Sequence, residues 1–305
     1  MNNDYLSFWI AAFLADRNAG GAADGTLRFY EQKLKLLTDY CQAHSIQTIG
    51  QMTAPFLREY LLFLEGGHNP GGKHAAFRGL RAFLNWYEIE AEPEGWGNPM
   101  RKVKAPKVPI EPLEPVSNDA IAGMIKACER GTFTGDRDIA IFLCLLDTGA
   151  RASEFLGMDL ADLDQASGSI LIRQGKGSKP RAVFLGRRSR HFLRRYLKRR
   201  VDDSPALWVS HPRFGSERLG YDGLRGIVHR RALEAEIAEP SLHDFRRAFA
   251  LAMLRNGTDV YTLAKLMGHE GITVLQRYLK QTYQDTEAAH RRAGPVDHSA
   301  LISMV

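Results

Sequence analysis

The sequence predicts a mainly α fold in two domains, with one small β hairpin set in the second. Three observations lead there. Apolar residues recur at helical spacing over the first hundred positions. A stretch with five prolines, "NPMRKVKAPKVPIEPLEPVS" at 98–117, then interrupts the pattern. Helical spacing resumes after it, except at "GSILIRQ" and "RAVFLG", two short strand-like runs joined by the turn "GKGSKP".

Taken in chain order, "YLSFWIAAFLA" is apolar but short and lacks a basic flank. It reads as neither a secretion signal nor a membrane span. "TLRFYEQKLKLLTDYCQAH" (26–44) places Leu27, Tyr30, Leu34, Leu37 and Cys41 on one helical face. "APFLREYLLFLEGG" and "HAAFRGLRAFLNWYEIE" repeat the spacing, with Gly66-Gly67 as a stop and "GGHNPGGKH" as a turn between them. Residues 1–100 thus form a helical domain, balanced in charge with 12 Lys/Arg against 11 Asp/Glu over 1–108. The prolines exclude a helix interior over 101–117, which reads as an extended, semi-rigid linker with Lys102, Lys104 and Lys107 in its basic first half. The second domain, 118–305, is expected to hold helices at 118–130, 136–148, 188–201, 222–235, 241–256, 259–267 and 273–281.

The net charge is +6 over 305 residues, and residues 171–200 alone hold twelve Lys/Arg and no Asp/Glu. A solvated helix face is the bland account of such a run; a phosphate-rich partner is the functional one. Cys41, Cys128 and Cys144 have neither the number nor the spacing of a disulfide framework or a zinc site, which fits a reducing cytoplasm.

Four local patterns carry chemistry. "DTGARASEFLGM" sets Arg151 after a glycine turn with Glu154 three residues on. An Arg at a helix N-terminus opposes the dipole, so its placement needs a reason beyond an i,i+3 pair with Glu154. "QGKGSKPR" puts Lys176 at a hairpin tip, with Lys179 and Arg181 beside it. The spacing is not that of a Walker loop, because position 170 is Ile and the residue after Lys176 is Gly. "SLHDFRRAFALAMLRNG" aligns His243 and Arg246 on one face, with Phe245, Ala248, Phe249 and Ala252 as its buried side and Ser241 as its cap. "LMGHEGITVLQRYLK" places His269 just outside one helix and Tyr278 late in the next.

Singly, each of these has a packing explanation. Together, two Arg, two His, a Lys and a Tyr suit one task. Paired guanidinium groups can bracket the oxygens of a phosphodiester. Histidine moves a proton near neutral pH, and a deprotonated tyrosine is a competent nucleophile. No acidic cluster of the kind that holds two Mg²⁺ accompanies them, so the set reads as needing no metal and no cofactor.

In order and spacing, "TGARASE", "GKGSKPRAVFL", "HDFRR", "LMGH" and the tyrosine nine residues later resemble the tyrosine recombinase (phage integrase) family. The likeness extends over residues 1 to about 285, with the first domain similar to that family's SAM-like core-binding domain. Departures at Ala150, Phe155 and Phe245 fall on apolar packing positions. The resemblance implies a site-specific recombinase that cuts and rejoins double-stranded DNA through a 3′-phosphotyrosine on Tyr278. It implies that Arg151 and Arg246 clamp the phosphate, that Lys176 protonates the leaving oxygen and that His243 is the general base or acid. His269 would donate a hydrogen bond to the phosphate, and Glu154 would orient a neighbour. Lys102, Lys104, Lys107, Lys179 and Arg181 would line the DNA. It further implies two domains closing as a C-shaped clamp, and a monomer or weak oligomer that forms a homo-tetramer on synapsed sites. Residues 284–305 would serve as an oligomerisation segment. The layout resembles the simple Xer, integron and transposon types, acting in the cytoplasm at the nucleoid. A type IB topoisomerase-like swivelase shares much of this kit, and a DNA-binding protein without catalysis is the remaining alternative.

Overall fold

The computed structural model describes residues 5–109, 115–173 and 180–268, with isolated positions at 287, 290, 291, 294 and 296. The chain divides into two compact units, 1–111 and 112–305.

The first unit packs four helices, α1 (Leu6–Ala19), α2 (Asp24–Ala43), α3 (Ala54–Phe63) and α4 (Pro70–Ala91). Helix α4 begins inside the stretch read as a turn. Pro70 sits at its first position, where the missing N–H costs nothing, and the Asn69 side chain accepts from Gly72 N at 2.8 Å. The core gathers Phe13, Leu34, Leu37, Leu57, Tyr60 and Phe83. The proline-rich stretch is partly tied to this unit. Met100 and Val103 are buried in its core, Arg58 donates to Lys102 O at 2.9 Å, and the His74 ring bonds Pro106 O at 2.9 Å. Lys102, Lys104 and Lys107 nevertheless remain exposed. The chain divides after Glu111 rather than before Arg101, because these contacts hold 99–106 to the helices.

In the second unit the described helices are α5 (Asn118–Lys126), α6 (Phe133–Thr148), α7 (Ala152–Leu156), α8 (Arg187–Leu197), α9 (Tyr221–Glu234), α10 (Leu242–Arg255) and α11 (Val260–Met267). Strands β1 (Ser169–Ile172) and β2 (Arg181–Phe184) pair antiparallel, with Ile172 opposite Arg181. The helix expected at 273–281 lies outside the described residues. The core forms around α6, where Ile139, Ala140, Ile141, Phe142 and Cys144 are fully buried. Trp208 stacks between Phe155 (4.7 Å) and Tyr196 (5.7 Å) beside it.

Helix α6 carries three carboxylates that align its neighbours, Asp136 and Asp138 fully buried and Asp147 half-buried. Asp136 receives Arg195 (3.0 Å) and Arg199 (2.6 Å) from the far end of α8, while Asp147 accepts from Gly186 N (2.7 Å) and Ser189 Oγ (2.6 Å) at its start. The two helices therefore run antiparallel. Asp138, fully buried, lies between Arg137 of its own helix and Arg231 of α9. The dense cationic run of 171–200 is thus divided. Arg190, Arg195, Arg199 and Arg200 bond within the unit, whereas Arg187, Arg188, Arg194 and Lys198 stay exposed. Part of this run thus serves the fold itself, because buried carboxylates need cations of their own.

The three cysteines are free and buried, and burial pushes the Cys41 and Cys128 thiols up to about 12. Among the described residues, no helix is long and apolar enough to cross a membrane.

Candidate active site

Helix α6 ends at Gly149, whose φ of +56° is left-handed and whose missing Cβ makes room for Phe249, 2.2 Å from where that atom would sit. The turn it permits delivers Arg151 to the start of α7. There the Arg151 backbone N–H donates to Glu154 Oε2 at 2.9 Å and Arg151 Nη1 donates to Glu154 Oε1 at 2.8 Å. The i,i+3 pair foreseen as the bland reading is real, yet it does not bury the arginine. Arg151 keeps 39% of its side chain exposed while Glu154 keeps 1%.

Helix α10 opens on Ser241, whose N–H donates to Asp244 Oδ2 at 2.7 Å. It points Arg246 inward, 2% exposed, where Nη1 donates to Gly149 O at 2.5 Å and Nη2 to Met267 O at 2.7 Å. These two main-chain bonds fix the plane of the guanidinium. Phe245, Phe249 and Ala250 form the buried side of α10, and Ala252, expected among them, is exposed. His243 stands one turn before Arg246 with an exposed face. Partial desolvation of its ring, then the charges of Arg247 and Arg246, hold its pKa below the usual 6.5 and leave it neutral at pH 7. Arg247 pairs with Asp244 at 2.5 Å rather than standing alone in solvent.

Arg181 departs from its expected place along DNA. In β2 it shares a face with Val183, which is 1% exposed, and its own side chain is 10% exposed. Its guanidinium grips Glu154 with both ends, Nη2 to Oε2 at 2.7 Å and Nη1 to Oε1 at 3.1 Å, and Nε donates to Leu266 O at 2.9 Å. The alternation of "RAVFL" carried the signal: a cation on the core face of a strand requires a buried carboxylate.

Three arginines from three elements therefore meet the end of α11. Arg181 takes the carbonyl of Leu266, Arg246 that of Met267, and Arg151 that of Gly268, the last through Nη2 at 3.2 Å. Helix C-termini leave carbonyls unpaired and favour cations, which accounts for the convergence. Gly268 closes the helix at φ +65°, and a Cβ there would lie 2.7 Å from Arg181 Nη1. His269, the next residue, lies outside the described residues, as do Lys176, Lys179 and Tyr278.

Glu154 is the electrostatic centre of this cluster. Burial alone would raise its pKa, but hydrogen bonds from Arg181 and from the Arg151 main chain and side chain prevail and lower it from 4.5 to about 2. A carboxyl depressed in the folded state stabilises the fold above its unfolded pKa and loses that contribution as the proton binds. The stability gap between the wild type and Glu154→Gln should be widest above about pH 5 and close as the pH falls towards 2. Thermal unfolding of both proteins across that range measures it, and a gap independent of pH would contradict the assignment.

Residues 116–285 match the model of the Phage integrase family. Tyrosine recombinase XerC of Myxococcus xanthus is 27% identical over 285 residues, covering 90% of this chain and 93% of that protein. Tyrosine recombinase XerA of Pyrococcus furiosus is 26% identical over 248 residues, covering 77% and 85%. Among solved structures, the Tn1549 transposon integrase in complex with a circular intermediate DNA aligns with a TM-score of 0.74 at 18% identity, over 95% of this chain and 99% of that one. A lambda integrase dimer bound to a COC′ core site aligns with a TM-score of 0.73 at 16% identity, over 90% and 77%. At these identities the structural likeness is one of fold.

Proposed function

The chain belongs to the phage integrase family and is a tyrosine-type site-specific DNA recombinase, and on that premise we propose that it exchanges strands through a 3′-phosphotyrosine on Tyr278. The observation that carries this reading is that Arg151 and Arg246 donate to the adjacent carbonyls of Gly268 and Met267, at 3.2 Å and 2.7 Å. Two rigid guanidinium groups so placed can brace the non-bridging oxygens of one phosphate as charge develops on them.

In the cleavage step the Tyr278 hydroxyl oxygen attacks phosphorus, the P–O5′ bond breaks, and the enzyme retains the 3′ phosphate as an ester. His243, whose pKa is held below 6.5 by desolvation and nearby arginines, would accept the tyrosine proton. Lys176 supplies a proton to the departing O5′, and His269 donates a hydrogen bond to the phosphate. The ester stores the bond energy, so a 5′-hydroxyl can reverse the step on the same or another strand without ATP. Positioning and charge stabilisation carry the chemistry, as in phosphoryl transfer generally.

The partner is double-stranded DNA carrying recombination sites. Exposed Lys102, Lys104 and Lys107 suit its backbone, and Lys179, outside the described residues, would join them along the DNA. Four copies would assemble on two synapsed sites in the cytoplasm, with 284–305 docking between neighbours.

The test uses a nicked DNA that loses its 5′-hydroxyl fragment after cleavage, incubated with the protein in EDTA and then digested with trypsin. Mass spectrometry should find nucleotide on the peptide that begins at Tyr278. Linkage to another residue, or intact binding with no adduct on any site-bearing fragment, would refute the proposal.

A further inference from the structure

Arg151 has a difficulty that its own contacts create. It must present positive charge to a phosphate, yet it is paired at 2.8 Å with a fully buried carboxylate. An isolated Arg151–Glu154 pair is neutral, and its field at the phosphate is largely cancelled. A closed pair would also draw the guanidinium down on to the carboxylate with both nitrogens, since the fork geometry favours bidentate contact.

Arg181 removes both problems. It occupies both oxygens of Glu154, at 3.1 Å and 2.7 Å, and so restricts Arg151 to a single side-chain bond with that carboxylate. The cluster of two arginines and one glutamate carries net +1, and the exposed member is Arg151 at 39% while Arg181 lies at 10%. The same guanidinium holds Leu266 O at 2.9 Å, two residues before the carbonyl that Arg151 itself uses. Gly268 fits against it, with no space for a Cβ. One buried side chain thus sets the charge of Arg151 and the position of the turn from which His269 departs.

We propose that Arg181 is a positioning residue for strand cleavage, acting through Glu154 on Arg151 and through Leu266 on the α11 turn without touching DNA. The inference rests on the recombinase reading above and deepens it. Its chemistry is specific: what Arg181 restores is positive charge opposite a phosphate.

The experiment compares single-turnover adduct formation on a nicked site containing either an ordinary scissile phosphodiester or a charge-neutral methylphosphonate. Wild-type protein on the phosphodiester is the control for the recombinase reading; if it forms no adduct, that reading fails, separately from this one. Arg181→Ala should bind the site within about threefold of the wild type yet cleave the phosphodiester about 10²-fold more slowly. On the methylphosphonate, which needs no cation, the deficit should shrink to less than about tenfold. Adding Glu154→Gln to Arg181→Ala should recover part of the lost phosphodiester cleavage, because a neutral amide no longer cancels Arg151. Arg181→Lys, which keeps charge but loses the fork, should fall between; it also serves where the alanine variant does not fold. Equal loss on both substrates in a folded variant, no recovery from Glu154→Gln, or a fall in DNA binding matching the fall in cleavage would each overturn the proposal.

Discussion

Replacing Arg246 by alanine should lower single-turnover cleavage by at least about 10³-fold, the scale of losing a charged donor aimed at a phosphoryl transition state. The same change should destabilise the fold. Arg246 is 2% exposed, and its loss removes a buried donor from each of Gly149 O and Met267 O. Each such loss costs roughly 1–3 kcal/mol. The two consequences separate in Arg246→Lys. A single ammonium keeps the charge but cannot reach two carbonyls on either side of it and hold a flat face to the phosphate. This variant should fold, bind DNA and still lose most of its cleavage. Thermal unfolding and adduct assays on the same preparations make the comparison; cleavage within threefold of the wild type in Arg246→Lys would remove Arg246 from the phosphate clamp.

The largest effect on stability should come from Asp138→Ala, at about 3–5 kcal/mol. The carboxylate is fully buried, with Arg137 on Oδ1 (3.0 and 2.9 Å) and Arg231 on Oδ2 (2.9 and 2.8 Å). Both arginines also reach main-chain oxygens, Arg137 to Val209 and Arg231 to Ala127. Deleting the aspartate leaves two guanidinium groups facing each other in the interior between α6 and α9. Denaturant unfolding reads the loss directly. A triple variant, Arg137→Met, Asp138→Leu and Arg231→Met, should recover much of it, because an apolar set of similar volume avoids desolvating three charges. A loss below 1 kcal/mol for Asp138→Ala would show that the network carries little.

These two residues differ in how far the sequence reveals them. Arg246 is legible: it follows a capping serine, shares a face with His243, and sits in a motif whose other members recur at fixed distances. Asp138 is not. In "FTGDRDIAIFLCLL" its charges look like the solvated start of an amphipathic helix, and only the tertiary arrangement of α8 and α9 turns them inward. The helices themselves follow from apolar spacing, and the hairpin from its β-branched runs. The start of α4 was obscured because "NPGGK" has turn composition, whereas Asn69 and Pro70 there are a cap and a first residue. The resemblance places Arg181 along DNA; its partner Glu154 stands 27 positions earlier, a distance at which local pattern says nothing. Within the cationic run of 171–200, Arg195 and Arg199 bond to α6 and Arg190 and Arg200 to loops, partners that local pattern cannot show.

The end of α11 is held by its oxygens as well as by its buried side chains Leu263 and Met267. Three successive carbonyls, at 266, 267 and 268, each meet an arginine from a different element. A substitution at Leu266 changes packing but leaves its carbonyl in place. Inserting or deleting one residue between Leu263 and Leu266 would shift all three oxygens away from their donors together. Over evolutionary drift this turn can therefore accept a new letter at Leu266 but neither a side chain at Gly268 nor a new length, and an alignment gap placed within it would mark either an error or a lineage that has abandoned the chemistry.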